Sequence, residues 1–162
     1  RRAMIEAQKR FWQTQRLIDK ESVYLQDVAQ RLFAVPVITP EWIAGLIASP
    51  AGRDCLEAFV GKFSRMQDTL IDKLLPHCLT AVGEKTGSAL DNLNLADRLG
   101  LIGNADQWLA MRHLRNRLVH EYVEDPAELA TPLNLARRMA DDLLAAGQTI
   151  RRFAEEKFPS GL

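Results

Sequence analysis

Cysteine is scarce in this chain, which contains only Cys55 and Cys78 among its 162 residues. Two isolated thiols exclude a disulfide framework, and no set of His, Cys and carboxylate residues has the spacing of metal ligands. We therefore expect a reduced, cytoplasmic protein that holds neither a metal nor a cofactor. Cys55 has an apolar neighbour and is predicted to lie in the core, as free cysteines commonly do.

Long apolar runs and net charge are also lacking. No apolar run approaches the length that crosses a bilayer, and no signal peptide opens the chain, so we expect no membrane association. We expect Met4 to be the native start and residues 1–3 to be an added remnant. Basic and acidic residues number 21 each, so a nucleic-acid site would have to be local. The segment 83–88 lacks the residue order of a phosphate-binding loop and is read as a turn.

The first half of the chain has the apolar period of helices, not of strands. A stripe repeating every seven residues predicts a long helix over roughly 3–33. Thr39 and Pro40 open a short helix, a second long helix follows from Asp54, and Pro76 is expected to kink or end it. The stripe of the first helix consists of Met4, Phe11, Ile18, Leu25 and Leu32, thickened by Leu17, Tyr24 and Val28.

The second half continues the helical pattern. Ser88 or Asp91 is predicted to cap a short helix that ends at Gly100. The Asp125-Pro126 and Thr131-Pro132 pairs signal helix starts, and the second pair opens the last long helix, on which Arg137 and Arg138 are predicted to face outward. The fold class is therefore all-α. We expect residues 1–162 to form one antiparallel bundle of about four main helices with short additional ones, as a single domain.

One more predicted helix, from Ala105 to about Glu121, has an unusual face. Asn104 is its N-cap, with Gln107 three places later as in a capping box. Arg115 falls in the middle of the apolar arc, where a guanidinium costs free energy unless it is paired or lines a cavity. Asn116 and His120 lie one turn apart on the adjoining flank. The apolar arc itself comprises Trp108, Met111, Leu114, Leu118, Val119 and Tyr122.

Arg115, Asn116 and His120 have the chemistry to cleave RNA without a metal. The imidazole can take the proton of a ribose 2′-hydroxyl, which then attacks the adjacent phosphorus. The planar guanidinium can stabilise charge on the phosphoryl oxygens. The leaving 5′-oxygen needs a second acid, and one copy of the pattern supplies only one histidine. Two copies facing each other would supply both.

The arrangement Arg115-Asn116-x3-His120-x-Tyr122 resembles the signature of the HEPN domain superfamily, and its His-x-Tyr ending is similar to the HepT-like toxins. The resemblance implies a homodimeric, metal-independent endoribonuclease toxin with a composite cleft that leaves a 2′,3′-cyclic phosphate and a 5′-hydroxyl. It implies that Arg115 and His120 form the catalytic pair and that Asn116 helps to position it. It also implies that a cognate minimal nucleotidyltransferase antitoxin restrains the toxin by transferring AMP to Tyr122.

Other interpretations of the same residues stay open. Arg115 alone is compatible with a simple ion pair to a carboxylate on a neighbouring helix, His120 with a hydrogen-bonded helix-end residue, and Tyr122 with a core aromatic. Arg112 and Arg117 flank the motif as candidate RNA phosphate contacts, but a solvated helix face explains them equally well. The alternative function is a non-catalytic nucleotide- or substrate-binding partner subunit of a nucleotidyltransferase. A plain helical dimerisation module is a third possibility.

Overall fold

The computed structural model describes residues 1–160, apart from the side chains of residues 119–124 and 126. The described chain is all-helical and contains no strand. No described helix combines the length and the apolar character that crossing a membrane requires. The helices, in chain order, are α1 (Arg2–Leu32), α2 (Pro40–Ile47), α3 (Pro50–Thr69), a π-helical turn (Leu70–Leu74), α4 (Leu75–Ala81), α5 (Ala89–Arg98), α6 (Ala105–Glu124), a 3-10 turn (Pro126–Leu129) and α7 (Ala130–Lys157).

Hydroxyl side chains fix the starts of three helices. Thr39 accepts a hydrogen bond from the backbone N–H of Trp42 at 3.2 Å, as expected for the N-cap of α2. Ser49 caps α3 in the same way, so this helix starts at Pro50 and not at Asp54. Ser88, the first of the two predicted caps, forms a capping box at the start of α5.

The chain continues as a helix through Pro76, which lies in the first turn of α4 and does not end the helical segment. Leu70–Leu74 instead forms a π-helical turn, in which the N–H of Leu75 reaches back to the carbonyl of Leu70. Proline lacks the N–H that the regular helical hydrogen-bond ladder requires. The ladder is therefore interrupted near Pro76, and the widened turn just before it is the form that this interruption takes. Helices α3 and α4 therefore remain joined through this turn, with a local change of register between them.

Helix α1 forms the centre of the core, since it packs against α3, α4 and α7. Four members of its predicted stripe, Phe11, Ile18, Leu25 and Leu32, are at most 1% exposed. The aromatic ring of Phe59 on α3 lies 4.8 Å from that of Phe33 at the end of α1. These contacts hold α3 firmly in place, and α3 in turn forms one wall of the candidate site.

The prediction that the whole apolar stripe of α1 is buried is wrong for two of its residues. Leu17 and Tyr24 are 43% and 58% exposed. Each precedes a buried residue by one place and so lies about 100° away around the helix, outside the arc that α3, α4 and α7 cover. Cys55, also predicted to be in the core, is only half-buried, whereas Cys78 is buried.

Candidate functional site between α3 and α6

Helix α6 is anchored by its apolar arc. Trp108, Met111, Leu114 and Leu118 are at most 3% exposed. The side chain of Asn104 accepts hydrogen bonds from the N–H groups of the first turn, as a cap should. The remaining two residues of the predicted arc, Val119 and Tyr122, have side chains outside the described residues. The described part of the arc is therefore confirmed, and it fixes the direction in which the polar flank of α6 faces.

Arg115 is partly exposed, whereas its apolar neighbours on the arc are buried. Its side chain is 29% exposed, and its guanidinium NH1 forms an ion pair with the carboxylate of Asp68 on α3. A long side chain can cover apolar surface with its stem while its charged end reaches solvent or a partner. The ion pair is the structural alternative anticipated for this residue, and it removes the cost of an unpaired charge.

A second ion pair lies about one turn away along α6. Arg112 on α6 donates through NH2 to the carboxylate of Asp72 at 2.6 Å. Asp72 lies in the π-helical turn that follows α3, so both carboxylates face α6 from the same continuous segment. The two pairs bridge α3 and α6 along one side of the molecule.

The two pairs and Asn116 line a cavity of about 440 Å³. Its walls carry two guanidinium groups, two carboxylates and one amide, so the charges of these five side chains cancel. The cavity therefore offers hydrogen-bond donors suited to a phosphate without presenting a strongly positive surface. It is open to solvent, since Asn116 is exposed and Asp68 is 48% exposed.

The other predicted site residues are placed less completely. Arg117 lies on the exposed side of α6, away from the side chains that line the cavity. The side chains of His120 and Tyr122 lie outside the described residues, and so does any contact between them and Arg115. The backbone of α6 runs as helix to Glu124, which keeps positions 116 and 120 one turn apart as the sequence predicts. The structure thus brings together Arg112, Arg115 and Asn116.

Asp68 and Asp72 are the residues that sequence reasoning missed. Their spacing of one helical turn places two carboxylates on one side of the same helix, which is a visible signal. Nothing in the sequence shows that this side faces the two arginines of α6, 40 and 47 residues away. Only the packing of α3 against α6 reveals the pairing.

Comparisons with known proteins do not extend this assignment. No protein-family model, curated protein or solved structure matches the chain. Within the described part of the chain, no group of three or more His, Cys, Asp or Glu residues could hold a metal ion. The resemblance to HEPN domains thus depends on four residues and their spacing.

Proposed function

We propose that this chain is a metal-independent endoribonuclease of the HEPN type, acting as a homodimer with a composite active site. The observation that carries the proposal is the cavity in which Arg115 and Asn116, two residues of the motif, lie together. A guanidinium and an amide beside an open space of this size suit a phosphodiester group. The motif histidine, His120, lies one helical turn beyond Asn116.

The proposed reaction is a transphosphorylation within the RNA. His120 takes the proton of the ribose 2′-hydroxyl, and the 2′-oxygen attacks the adjacent phosphorus. The bond from phosphorus to the 5′-oxygen breaks, and the leaving oxygen receives a proton from the His120 of the second copy. Arg115 donates hydrogen bonds to the phosphoryl oxygens while negative charge accumulates there. The products are a 2′,3′-cyclic phosphate and a 5′-hydroxyl.

The ion pair with Asp68 is compatible with this role. A guanidinium has five N–H donors, and Asp68 engages the nitrogen NH1. A phosphate could be bound by the remaining nitrogens of the fork, Nε and NH2. Arg112, whose NH2 is held by Asp72, has the same arrangement and supports a contact with a neighbouring phosphate. Arg117 is a further candidate phosphate contact on the exposed side of α6.

The test compares wild-type protein with His120→Ala and Arg115→Ala on a defined RNA in EDTA. We expect wild type to leave cyclic-phosphate ends and each variant to lose about 100-fold or more in rate. His113→Ala and Arg138→Ala are matched controls, because His113 is exposed on the same helix and Arg138 is exposed on α7. Cleavage that survives in His120→Ala, or that requires a divalent metal, contradicts the mechanism. A monomer at concentrations that cleave RNA contradicts the composite site.

We also propose that a minimal nucleotidyltransferase antitoxin neutralises the chain by AMP transfer to Tyr122. A phosphate-bearing group on this residue would add negative charge close to the motif in sequence, where it would compete with the RNA phosphate. The chain has only two tyrosines, and Tyr24 is 58% exposed on α1. Tyr122→Phe should therefore abolish the mass increase seen with the nucleotidyltransferase and ATP, whereas Tyr24→Phe should retain it. Modification of Tyr122→Phe contradicts the assignment.

A second candidate function is a non-catalytic subunit that binds nucleotide or substrate for a nucleotidyltransferase. The balanced charge of the cavity favours it, because two of the cationic groups that would attract RNA already face carboxylates. This alternative predicts that the chain alone never cleaves RNA and that nucleotidyltransferase activity appears only in the mixture of both proteins. Cleavage by the purified chain that is lost in His120→Ala contradicts it.

A further inference from the structure

We infer that Asp68 is a positioning residue, which holds the guanidinium of Arg115 in the orientation that the reaction needs. The inference rests on the proposed function and adds to it a residue outside the motif. Asp68 lies on α3 and Arg115 on α6, so the ion pair joins two helices across the cavity. A side chain that stabilises a transition state is effective only if its direction is fixed before the reaction.

Both ends of the ion pair start from rigid backbone. The two neighbours of Asp68 on α3, Gln67 and Thr69, are 0% and 7% exposed. Leu114, which precedes Arg115, is 3% exposed and packs in the core. The backbone positions of both residues are therefore set by the core, and the freedom that remains is that of the arginine side chain. An unrestrained arginine side chain loses rotamer entropy when it is fixed, and the carboxylate removes part of that freedom in advance.

The contact with Asp68 orients the guanidinium of Arg115 through a single nitrogen. Asp68 binds NH1 of Arg115, and Asn116, the next residue of α6, also lines the cavity. Because the guanidinium is planar, holding one of its nitrogens restricts the plane in which the other donors lie. A phosphate that enters the cavity thus meets donors that are already oriented.

The second ion pair provides an internal comparison. Asp72 and Arg112 line the same cavity, and their side chains are 52% and 31% exposed, close to the 48% and 29% of Asp68 and Arg115. Removing either carboxylate changes the charge of the cavity by one unit. Only the removal of Asp68 releases the arginine of the motif. An effect of charge alone should therefore be the same for both carboxylates, whereas an effect on positioning should be specific to Asp68.

The experiment measures kcat for a short RNA and Kd for the same RNA with 2′-O-methyl riboses, which bind without reacting. The variants are Asp68→Ala, Asp72→Ala, Asp68→Glu and Asp19→Ala. Asp19→Ala removes another ion pair between helices, from Asp19 on α1 to Arg151 on α7, and neither of these residues lines the cavity. Alanine is the most favourable residue within a helix, so we expect each alanine variant to fold. Thermal unfolding of every variant checks this directly.

We expect Asp68→Ala to lose about tenfold or more in kcat while its Kd for the methylated RNA is unchanged or lower. Asp72→Ala should lose clearly less in kcat, Asp68→Glu should regain most of the rate, and Asp19→Ala should match wild type. Equal losses for Asp68→Ala and Asp72→Ala, or full kcat in Asp68→Ala, overturn the inference but leave the nuclease intact. If wild type itself does not cleave, both the nuclease and the positioning role are wrong.

Discussion

Arg137 joins the end of α1 to α7, although the sequence predicts that it faces outward. Its guanidinium donates to the backbone carbonyls of Val35 at 2.6 Å, Pro36 at 3.1 Å and Phe33 at 3.1 Å. It also lies 5.6 Å from the centre of the Phe33 ring. Helix α1 ends at Leu32 and is capped by Phe33, and Val35 and Pro36 follow it, so these three carbonyls lie outside the hydrogen-bond ladder of the helix and need another partner. A cationic side chain at this end also faces the negative end of the helix dipole. We therefore expect Arg137→Ala to destabilise the fold through α1.

The expected loss can be estimated from these contacts. A hydrogen bond from a charged group contributes about 1.5–3 kcal/mol when it is buried. The three carbonyls lie where the chain leaves α1, and water can replace part of what the arginine provides. We therefore expect Arg137→Ala to lower the free energy of unfolding by about 2–3 kcal/mol in total. For a chain of this length, that corresponds to a decrease in Tm of roughly 4–12 °C.

The measurement is urea unfolding followed by helical circular dichroism, with thermal unfolding as a second probe. Arg138→Ala is the matched control, because Arg138 is the next residue on α7 and is exposed. A surface substitution of this kind should change the free energy of unfolding by less than about 0.5 kcal/mol. Arg137→Lys should fall between the two, since a single ammonium cannot reach carbonyls spread over three residues as a planar fork can. Equal stabilities of Arg137→Ala and Arg138→Ala would refute the capping role.

Three further predictions concern polar groups that are buried or partly buried. Burial raises the pKa of the Cys78 thiol to about 12, so iodoacetamide at neutral pH should alkylate the half-buried Cys55 first. Equal alkylation rates of the two cysteines in the folded protein, followed by mass spectrometry, would contradict this. Burial also raises the pKa of Glu21 above its ordinary 4.5, so the stability that its protonated form contributes is lost as the pH rises through the folded-state pKa. Glu21→Gln should therefore be more stable than wild type at pH 7 and should lose that advantage below about pH 4.5. A gain in stability that persists in acid would contradict the assignment. Neither amide atom of Gln67 is hydrogen-bonded to a described residue, and the side chain is 0% exposed; Gln67→Met should raise the free energy of unfolding by about 1–2 kcal/mol in urea, and a decrease would show that the amide has a partner.

Two helix boundaries were predicted from a local signal, although the Ser49 cap that starts α3 is a local signal that was missed. The start of α2 at Pro40 follows from Thr39, whose hydroxyl satisfies a backbone N–H that the helix cannot satisfy itself. The end of α5 follows from Gly100, whose φ of 76° is a conformation that glycine adopts without strain. In both cases one or two neighbouring residues carry the whole signal. No knowledge of the remaining fold is needed.

Predictions that depended on distant neighbours were less successful. Leu17 and Tyr24 extend an apolar stripe, but which part of that stripe is buried depends on the positions of α3, α4 and α7. The π-helical turn before Pro76 is another such case, because the proline signals an irregularity without specifying its form. The pairing of Asp68 with Arg115 belongs to the same class. Its two residues are 47 positions apart, and no local pattern links them.

The sequence showed a charged residue, Arg115, among apolar ones, and the structure adds that this residue is paired with Asp68. An ion pair between half-exposed side chains contributes about 0–1 kcal/mol to stability. The pair with Asp68 is in this class, since its side chains are 29% and 48% exposed, so stability alone gives little reason for a guanidinium within an apolar arc. An ion pair and a phosphate site are also not exclusive here, because the carboxylate engages one nitrogen of the fork. If stability were the only role of the pair, Asp68→Ala and Arg115→Ala would each cost less than about 1 kcal/mol and would leave every activity of the protein unchanged. A loss of RNA cleavage at nearly unchanged stability is therefore the result that separates a working site from a surface ion pair.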